Sequence, residues 1–557
     1  QYKELYAVRG FQSSSEPLIH FGYGSAKKID SLTVIWPDNS YQTLRDLPVN
    51  QTLTIHPQQT RAFKYNRKAP TSKRLFKKVD GNLGIDFTHR EDNYLDFNRQ
   101  KLIPYQLSDR GPATAVGDLD NDGKNDIFFG GSKFFPSKLF VQNDTAFVEK
   151  RLPEISTDSV NEEVAAVIMD FNQDGLNDLF LGTGGADFYD KRTPLLDQYF
   201  TQGDTAFIRQ QIPDYYENAS VIAPCDFDND GDQDLFVGNQ VVTNDFGKTP
   251  NSYLLENDNG SFKITENDKL REAGMVTDAL WSDVDGDGLR DLIIIGEWMS
   301  PKFFINKAGK LTETTLMDER LNGLWESIAP LDMDSDGDTD YVLGNWGNNS
   351  KFVASQKHPL KMYYADFDDN GSTETIVAIH KNGEYYPIEG LAGLASQMVN
   401  LRKKFLTYRE FAGRPIDQIL DHKILEKATV LEVDELRSGF LENKGGTFSF
   451  VPFANEMQVA PITSLLVFDF DADGIDEVLA AGNYFGVKPY HGRFGSFSGA
   501  MIKGKNNVIL GHNTGLELSQ KSARNLNIIT LNNRPYLLVT FNNEKAQVYE
   551  LINKKGE

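Results

Sequence analysis

Asp118-Leu119-Asp120-Asn121-Asp122-Gly123-Lys124-Asn125-Asp126 sets acidic side chains at positions 1, 3 and 5, a glycine at 6 and a carboxylate at 9. The pattern D-x-[DN]-x-[DN]-G-x-x-[DE] recurs six more times, from Asp170, Asp226, Asp283, Asp332, Asp366 and Asp469. Alternating oxygen ligands, a glycine that permits a sharp turn and a main-chain carbonyl at position 7 suit a hard cation such as Ca²⁺. The expected side-chain ligands besides those first aspartates are Asp120, Asn172, Asp228, Asp285, Asp334, Asp368 and Asp471 at position 3, and Asp122, Asp174, Asp230, Asp287, Asp336, Asn370 and Asp473 at position 5. Position 9 adds Asp126, Asp178, Asp234, Asp291, Asp340, Glu374 and Glu477. Position 7 carries Lys124, Leu176, Asp232, Leu289, Asp338, Ser372 and Ile475, a mixture that fits use of the carbonyl alone. Solvated acidic turns would explain one or two such copies, not four ligand positions kept in seven.

An EF-hand shares the first six positions but requires a bidentate Glu at position 12 and a helix on either side. Position 12 here is Phe129, Leu181, Val237, Ile294, Leu343, Val377 and Ala480, all apolar. The flanks are strand-like instead, as in Ala165-Ala166-Val167-Ile168-Met169 before the second loop and Leu179-Phe180-Leu181-Gly182 after it. Each loop therefore closes a β-hairpin.

Successive loops start 52, 56, 57, 49, 34 and 103 residues apart, about the length of a four-stranded propeller blade apart from the last two. The long gap holds an insertion at about residues 390–428, where Leu391, Leu394, Ala395, Met398, Leu401 and Phe405 follow helical spacing and Pro415 and Asp417 open a second helix. After the seventh loop, residues 526–530, 536–540 and 546–551 read as three strands, and a fourth from near residues 75–88 would close a ring. The expected fold is all-β, a propeller of eight blades, or of seven if the 34-residue spacing hides an incomplete one.

With their G-D-x-D-x-D-G-x-x-D-I-x-x-G texture from Gly117 to Gly130, the loops resemble the FG-GAP/VCBS repeat family. The resemblance implies an integrin-α-type propeller over residues 75–557, calcium in the hairpin loops, an extracellular place and a role in adhesion or ligand binding. The sixth copy departs most from the family pattern, at Asn370 and Glu374, and the second departs at Asn172; weaker metal binding is expected at both. Upstream, Arg9-Gly10-Phe11-Gln12-Ser13-Ser14-Ser15, His20-Phe21-Gly22-Tyr23-Gly24, Val34-Ile35-Trp36-Pro37-Asp38 and Asn50-Gln51 resemble the ASPIC/UnbV domain of cartilage-acidic-protein-like chains. Residues 1–58 are expected to be part of that domain, with His20 and Trp36 used in packing. Because the pattern starts inside the domain, at Gln1, an upstream propeller and an export signal or lipid anchor are expected before it.

Residues 59–74 form a basic linker. Arg61, Lys64, Arg67, Lys68, Lys73 and Arg74, continued by Lys77 and Lys78, lack the interleaved aromatics of a nucleic-acid platform, so solvated charge is the expected role. With 57 basic residues against 80 acidic ones, the formal charge of −23 argues against a nucleic-acid partner. Seven calcium ions would cancel more than half of it; five to seven are expected. Cys225 is the sole cysteine, so no intrachain disulfide forms and a buried thiol is expected. No apolar run reaches the length of a membrane-spanning helix.

In a propeller all the calcium loops would share one face. The segments after the second strands, Gly296-Glu297-Trp298, Gly344-Asn345-Trp346 and Gly482-Asn483-Tyr484, would lie on the other. Trp298, Trp346 and Tyr484, with Asn345, Asn483, His491 and Arg493, form the candidate patch for a protein or glycan partner; packing between blades is the competing use. Without a HExxH, G-x-S-x-G or Walker motif, the chain is expected to be a non-catalytic binding or scaffold module at the cell surface, an accessory of an outer-membrane or adhesion complex. The alternatives are a polysaccharide lyase or hydrolase, which would need acid/base groups converging in the central cleft, and a purely structural domain of a larger exported protein.

Overall fold

A computed structural model describes residues 2–6, 8, 10–57, 62–63, 74–151, 153–155, 160–185, 187–203 and 206–552. The chain divides into two compact units, Gln1–Thr71 and Ser72–Glu557. Of the basic run, Arg61, Lys64, Arg67, Lys68 and Lys73 lie outside the described residues, as does Arg9.

The first unit is built on a hairpin of Lys28–Ile35 and Tyr41–Pro48. Pro37-Asp38-Asn39 makes its turn: Asp38 accepts from the Ser40 amide and hydroxyl, and Asn39 takes the left-handed conformation at φ 64°. Trp36 is half-buried, whereas His20, expected in packing, is exposed.

Seven antiparallel sheets follow in the second unit, each of four strands except the fourth, to which Gly323–Leu324 adds a fifth, and an eighth sheet is inserted among them. The innermost strands of the seven are Thr114–Gly117, Glu163–Met169, Asn218–Cys225, Met275–Ser282, Ser327–Leu331, Ile462–Phe468 and Ala523–Leu531. Each lies beside the next, and the seventh lies beside the first. The second strands, such as Asp178–Thr183 and Asp291–Met299, are buried along their whole length, because a neighbouring sheet covers each face. That is why their sequences are continuous apolar runs rather than alternating ones.

Separate apolar clusters fill the gaps between sheets. Phe171, Phe180 and Tyr199 meet Leu235, Val237 and Leu255 between the second and third sheets, and Ile127, Phe129 and Phe140 meet Ile529, Leu538 and Val548 between the first and the seventh. The outermost strand of the seventh sheet comes from the other end of the sequence: Phe76–Lys78 pairs with Gln547–Leu551. This is the closing strand expected near residue 75.

The eighth sheet does not continue the succession. Its strands Leu360–Ala365, Glu374–Lys381, Glu384–Pro387 and Thr429–Val433, with the helices between Leu391 and Leu425, lie in sequence between the second and third strands of the fifth sheet. The expectation of eight successive sheets is corrected here, because the 34-residue spacing marks the start of an insertion rather than a short repeat. The expectation that all seven loops share a face is corrected with it. Six join first to second strands of the seven successive sheets, whereas the sixth joins two strands of the insertion. Next to the sixth loop, Thr373 donates to Asp245 at 2.6 Å and Thr375 donates to the Phe246 carbonyl. Asp245 and Phe246 follow the end of strand Asp234–Val241 remote from its own acidic loop.

A cavity of about 310 Å³ is lined by residues from all seven innermost strands, among them Thr114, Ala165, Ser220, Thr277, Ser464 and Asn525. Cys225 is buried as expected, and burial pushes its thiol up to about 12.

Candidate metal centres and the face opposite them

All seven acidic loops share one backbone geometry. The glycine at position 6 donates its N–H to the carboxylate at position 1, at 2.8 Å for Gly123 and Asp118 and 2.7 Å for Gly371 and Asp366. The carboxylate at position 9 accepts from the amide at position 2, as Asp126 does from Leu119 at 2.9 Å, and reaches on to the Gln142 amide in the third strand. The loop is thereby tied to its sheet. Position 4 is also left-handed in every copy, from Asn121 at φ 59° to Ala472 at φ 56°. The sequence pattern leaves that position open, although Asn121, Asn229, Gly286 and Asp369 are residue types that favour this conformation.

These bonds leave carboxylate oxygens gathered at the centres of at least five of the loops. Carboxylate oxygens of Asp469, Asp471, Asp473 and Glu477 lie within 4.8 Å of one another, as do those of Asp118, Asp120 and Asp122 and those of Asp226, Asp228 and Asp230. Asp283, Asp285 and Asp291 make a similar group, and so do Asp332, Asp334 and Asp336. Buried oxygens of Asp120, Asp283, Asp368 and Asp471 have no hydrogen-bond partner. Hard oxygen donors left unsatisfied around one point fit a calcium-like cation. Without one, burial and the neighbouring carboxylates push Asp126 up to about 6 and Asp234 and Glu374 up to about 7. At position 7 the side chains of Asp232 and Asp338 also hold an unpartnered buried oxygen, so they are less idle than the sequence reading supposed. Lysines lean on three loops: Lys124 on Asp122, Lys307 on Asp285 and Asp287, and Lys503 on Asp471 and Glu477.

The candidate partner patch is largely interior. Trp298, Trp346, Tyr484, Asn345, Asn483 and His491 are all buried; Arg493 alone is exposed. Asn345 donates to the Glu435 and Arg437 carbonyls, and Asn483 to those of Phe497, Leu518 and Lys521. They tie loops down, and the patch expected to be an open surface is corrected to a packed one. An amide following a second strand satisfies carbonyls that have left the sheet ladder, and the aromatics seal that end of the sheets.

What these aromatics enclose escaped the sequence reading. Arg110 donates to Glu297 and Glu326, both at 3.2 Å, and its guanidinium lies 5.3 Å from the centre of the Tyr484 ring. Trp346 donates to the other Glu326 oxygen at 2.7 Å, and Trp298 to the Tyr105 hydroxyl. The available signal was Glu297, an acid at the end of the apolar run 292–299. Asp278 and Glu326, which line the central cavity with Arg110, are each pushed up to about 7 by burial.

The ASPIC and UnbV family profile matches residues 1–62, and the FG-GAP-like repeat profile matches residues 226–294 and 283–343, which hold the third to fifth loops. The chain carries an ASPIC and UnbV domain at its N-terminus and FG-GAP-like repeats within residues 226–343. Among solved structures, the FG-GAP chain is similar to the V. cholerae biofilm matrix protein Bap1, with 12% identity and a TM-score of 0.38 over 86% of this chain and 92% of that one. It is also similar to an Agrocybe aegerita lectin that recognises non-reducing terminal N-acetylglucosamine, with 13% identity and a TM-score of 0.37 over 77% of this chain and 87% of that one. No curated protein matches the sequence.

Proposed function

We propose that this FG-GAP chain is a calcium-stiffened binding or scaffold module of the cell exterior, built on a propeller whose seven blades are the successive sheets. The observation that carries the reading is the set of acidic loops whose buried carboxylate oxygens lack partners. Five to seven Ca²⁺ ions would be held by the side chains at positions 1, 3, 5 and 9 and the carbonyl at position 7. When bound, the ion supplies the positive charge that lets these carboxylates share a turn. The loops then hold first and second strands together, and the stiffened module takes a protein or glycan partner, as in an outer-membrane or adhesion complex. Millimolar external calcium suffices for sites of this class.

Thermal unfolding with millimolar Ca²⁺ and after chelation, with elemental analysis of the same sample, tests the reading. A fall of many degrees on chelation with five to seven ions per chain is expected, since an ion bound only by the native state stabilises it. No metal and no shift would overturn it.

One observation favours a second reading, a polysaccharide-cleaving enzyme: Asp278, Glu326 and Arg110 line one central cavity. Both carboxylates are already engaged, however. Asp278 accepts from the Ile328 and Ala279 amides, and Glu326 from Arg110 and Trp346. Polysaccharide cleavage that disappears in Asp278→Asn would establish this reading over the first.

A further inference from the structure

The inserted sheet creates a second cavity, of about 360 Å³, where the sixth loop meets the segment 99–103 that runs up to Arg110. We infer that this cavity is a sugar-binding site, taking one hexose-sized ring through the amides of Asn244, Gln100 and Gln397 and the rim formed by Arg99 and Tyr189.

The chemistry of the lining selects the ligand. The side-chain oxygens of Asn244 and Gln397 are buried and have no hydrogen-bond partner. Gln397 is oriented by its own NH₂, which donates to the Thr373 carbonyl and to Glu374 at 3.3 Å, so its oxygen is left as a fixed acceptor. Gln100 is held by accepting from the Phe246 amide at 3.1 Å. Fixed, unsatisfied acceptors call for a ligand that donates hydrogen bonds. A fully ionised phosphate has no donor and an apolar ligand would leave the acceptors bare, whereas a ring of hydroxyls can both donate and accept. Leu102 and Ile103 add an apolar wall. At the rim, Arg99 donates to the Asp187 carbonyl at 3.0 Å and lies 4.9 Å from the centre of the Tyr189 ring, which is itself 38% exposed. Arg192 also lies over that ring, at 5.9 Å, so the rim offers guanidinium donors to sugar hydroxyls while Leu102 and Ile103 face the C–H side of a pyranose. The volume is near the lower end for small-molecule sites, enough for one ring and not for a chain.

This assignment deepens the binding-module reading and rests on it. The test is saturation-transfer NMR on the full chain in millimolar Ca²⁺, with methyl glycosides of glucose, galactose, mannose, N-acetylglucosamine and glucuronic acid as probes. At least one glycoside is expected to receive saturation, with its affinity at least fivefold lower in Gln397→Leu and in Arg99→Ala. No transfer from any glycoside, or equal affinity in both variants, would overturn the site. Melting each sample with and without chelator separates the two failures: a protein stabilised by calcium that binds no glycoside counts against the cavity alone.

Discussion

At one end of the seven successive sheets, loops such as 469–477 hold four carboxylates within 4.8 Å of one another and leave an Asp471 oxygen without a partner. At the other end, Glu297 and Glu326 share the guanidinium of Arg110, and tyrosine and tryptophan seal them in. Both ends concentrate acid, but they neutralise it from different sources. The loop end is written in a repeat, each copy using the same positions, and beyond the lysines at three loops it relies, under the proposed function, on bound calcium for its positive charge. The sealed end is written once, by the segment that reaches Arg110, and takes its charge from within the chain. Stability at the loop end should therefore follow the solution, while stability at the sealed end should follow the sequence.

The largest effect is expected at the sealed end. Arg110→Met keeps the bulk but strands two buried carboxylates, and breaking a buried ion pair in this way costs about 3–5 kcal/mol. Denaturant unfolding should show that loss equally with calcium and with chelator. A loss that appears only in calcium would mean that Arg110 acts through the loops, and the contrast between the two ends would collapse.

The two ends were unequally legible in the sequence for the same reason. A ligand pattern repeated seven times announces itself, and with it came the hairpins, the helical insertion and the closing strand Phe76–Lys78. Two things are not local. The 34-residue spacing looks like a short repeat, yet Leu360–Ala365 pairs with Thr429–Val433 inside an inserted sheet, a pairing between segments more than sixty residues apart that no window of sequence displays. Trp298, Trp346 and Tyr484 follow second strands, which the sequence displays, but exposure depends on what covers them, and the covering segment around Tyr105 comes from near residue 100. Arg110 itself looks like any arginine in a loop.

A smaller effect, also at the sealed end, depends on pH. His89 is 2% exposed, and burial with Arg524 nearby lowers its imidazole to about 3. Glu91, 3.7 Å away, offers no counter-charge, because burial and Asp109 push its carboxyl up to about 8. The unfolded chain protonates this histidine below about 6.5 while the folded one keeps it neutral, so its contribution is complete above 6.5 and is lost as pH falls toward 3. At pH 5 that amounts to about 2 kcal/mol. His89→Asn keeps an acceptor for the Asn543 amide, which bonds Nδ1 at 3.1 Å, and cannot titrate. The stability difference between wild type and His89→Asn should therefore shift by about 2 kcal/mol in the variant's favour between pH 7 and pH 5. An unchanged difference would mean that the sealed end admits protons and water.

The smallest effect belongs to a single loop, and it sharpens the comparison most because it has an internal control. Asp118→Asn preserves an acceptor for the Gly123 amide at 2.8 Å, so the turn survives, and it gives up one ligand charge with the two longer bonds, at 3.3 Å, from the Asp120 and Asp122 amides. For a site with a dissociation constant near 0.1 mM in 1 mM Ca²⁺, complete loss of binding removes about 1.4 kcal/mol. That deficit should vanish in chelator, or change sign, since the variant relieves repulsion among Asp118, Asp120 and Asp122. A deficit that persists in chelator would show that Asp118 stabilises the turn through its hydrogen bonds. The loop end would then be as self-sufficient as the end closed by Arg110.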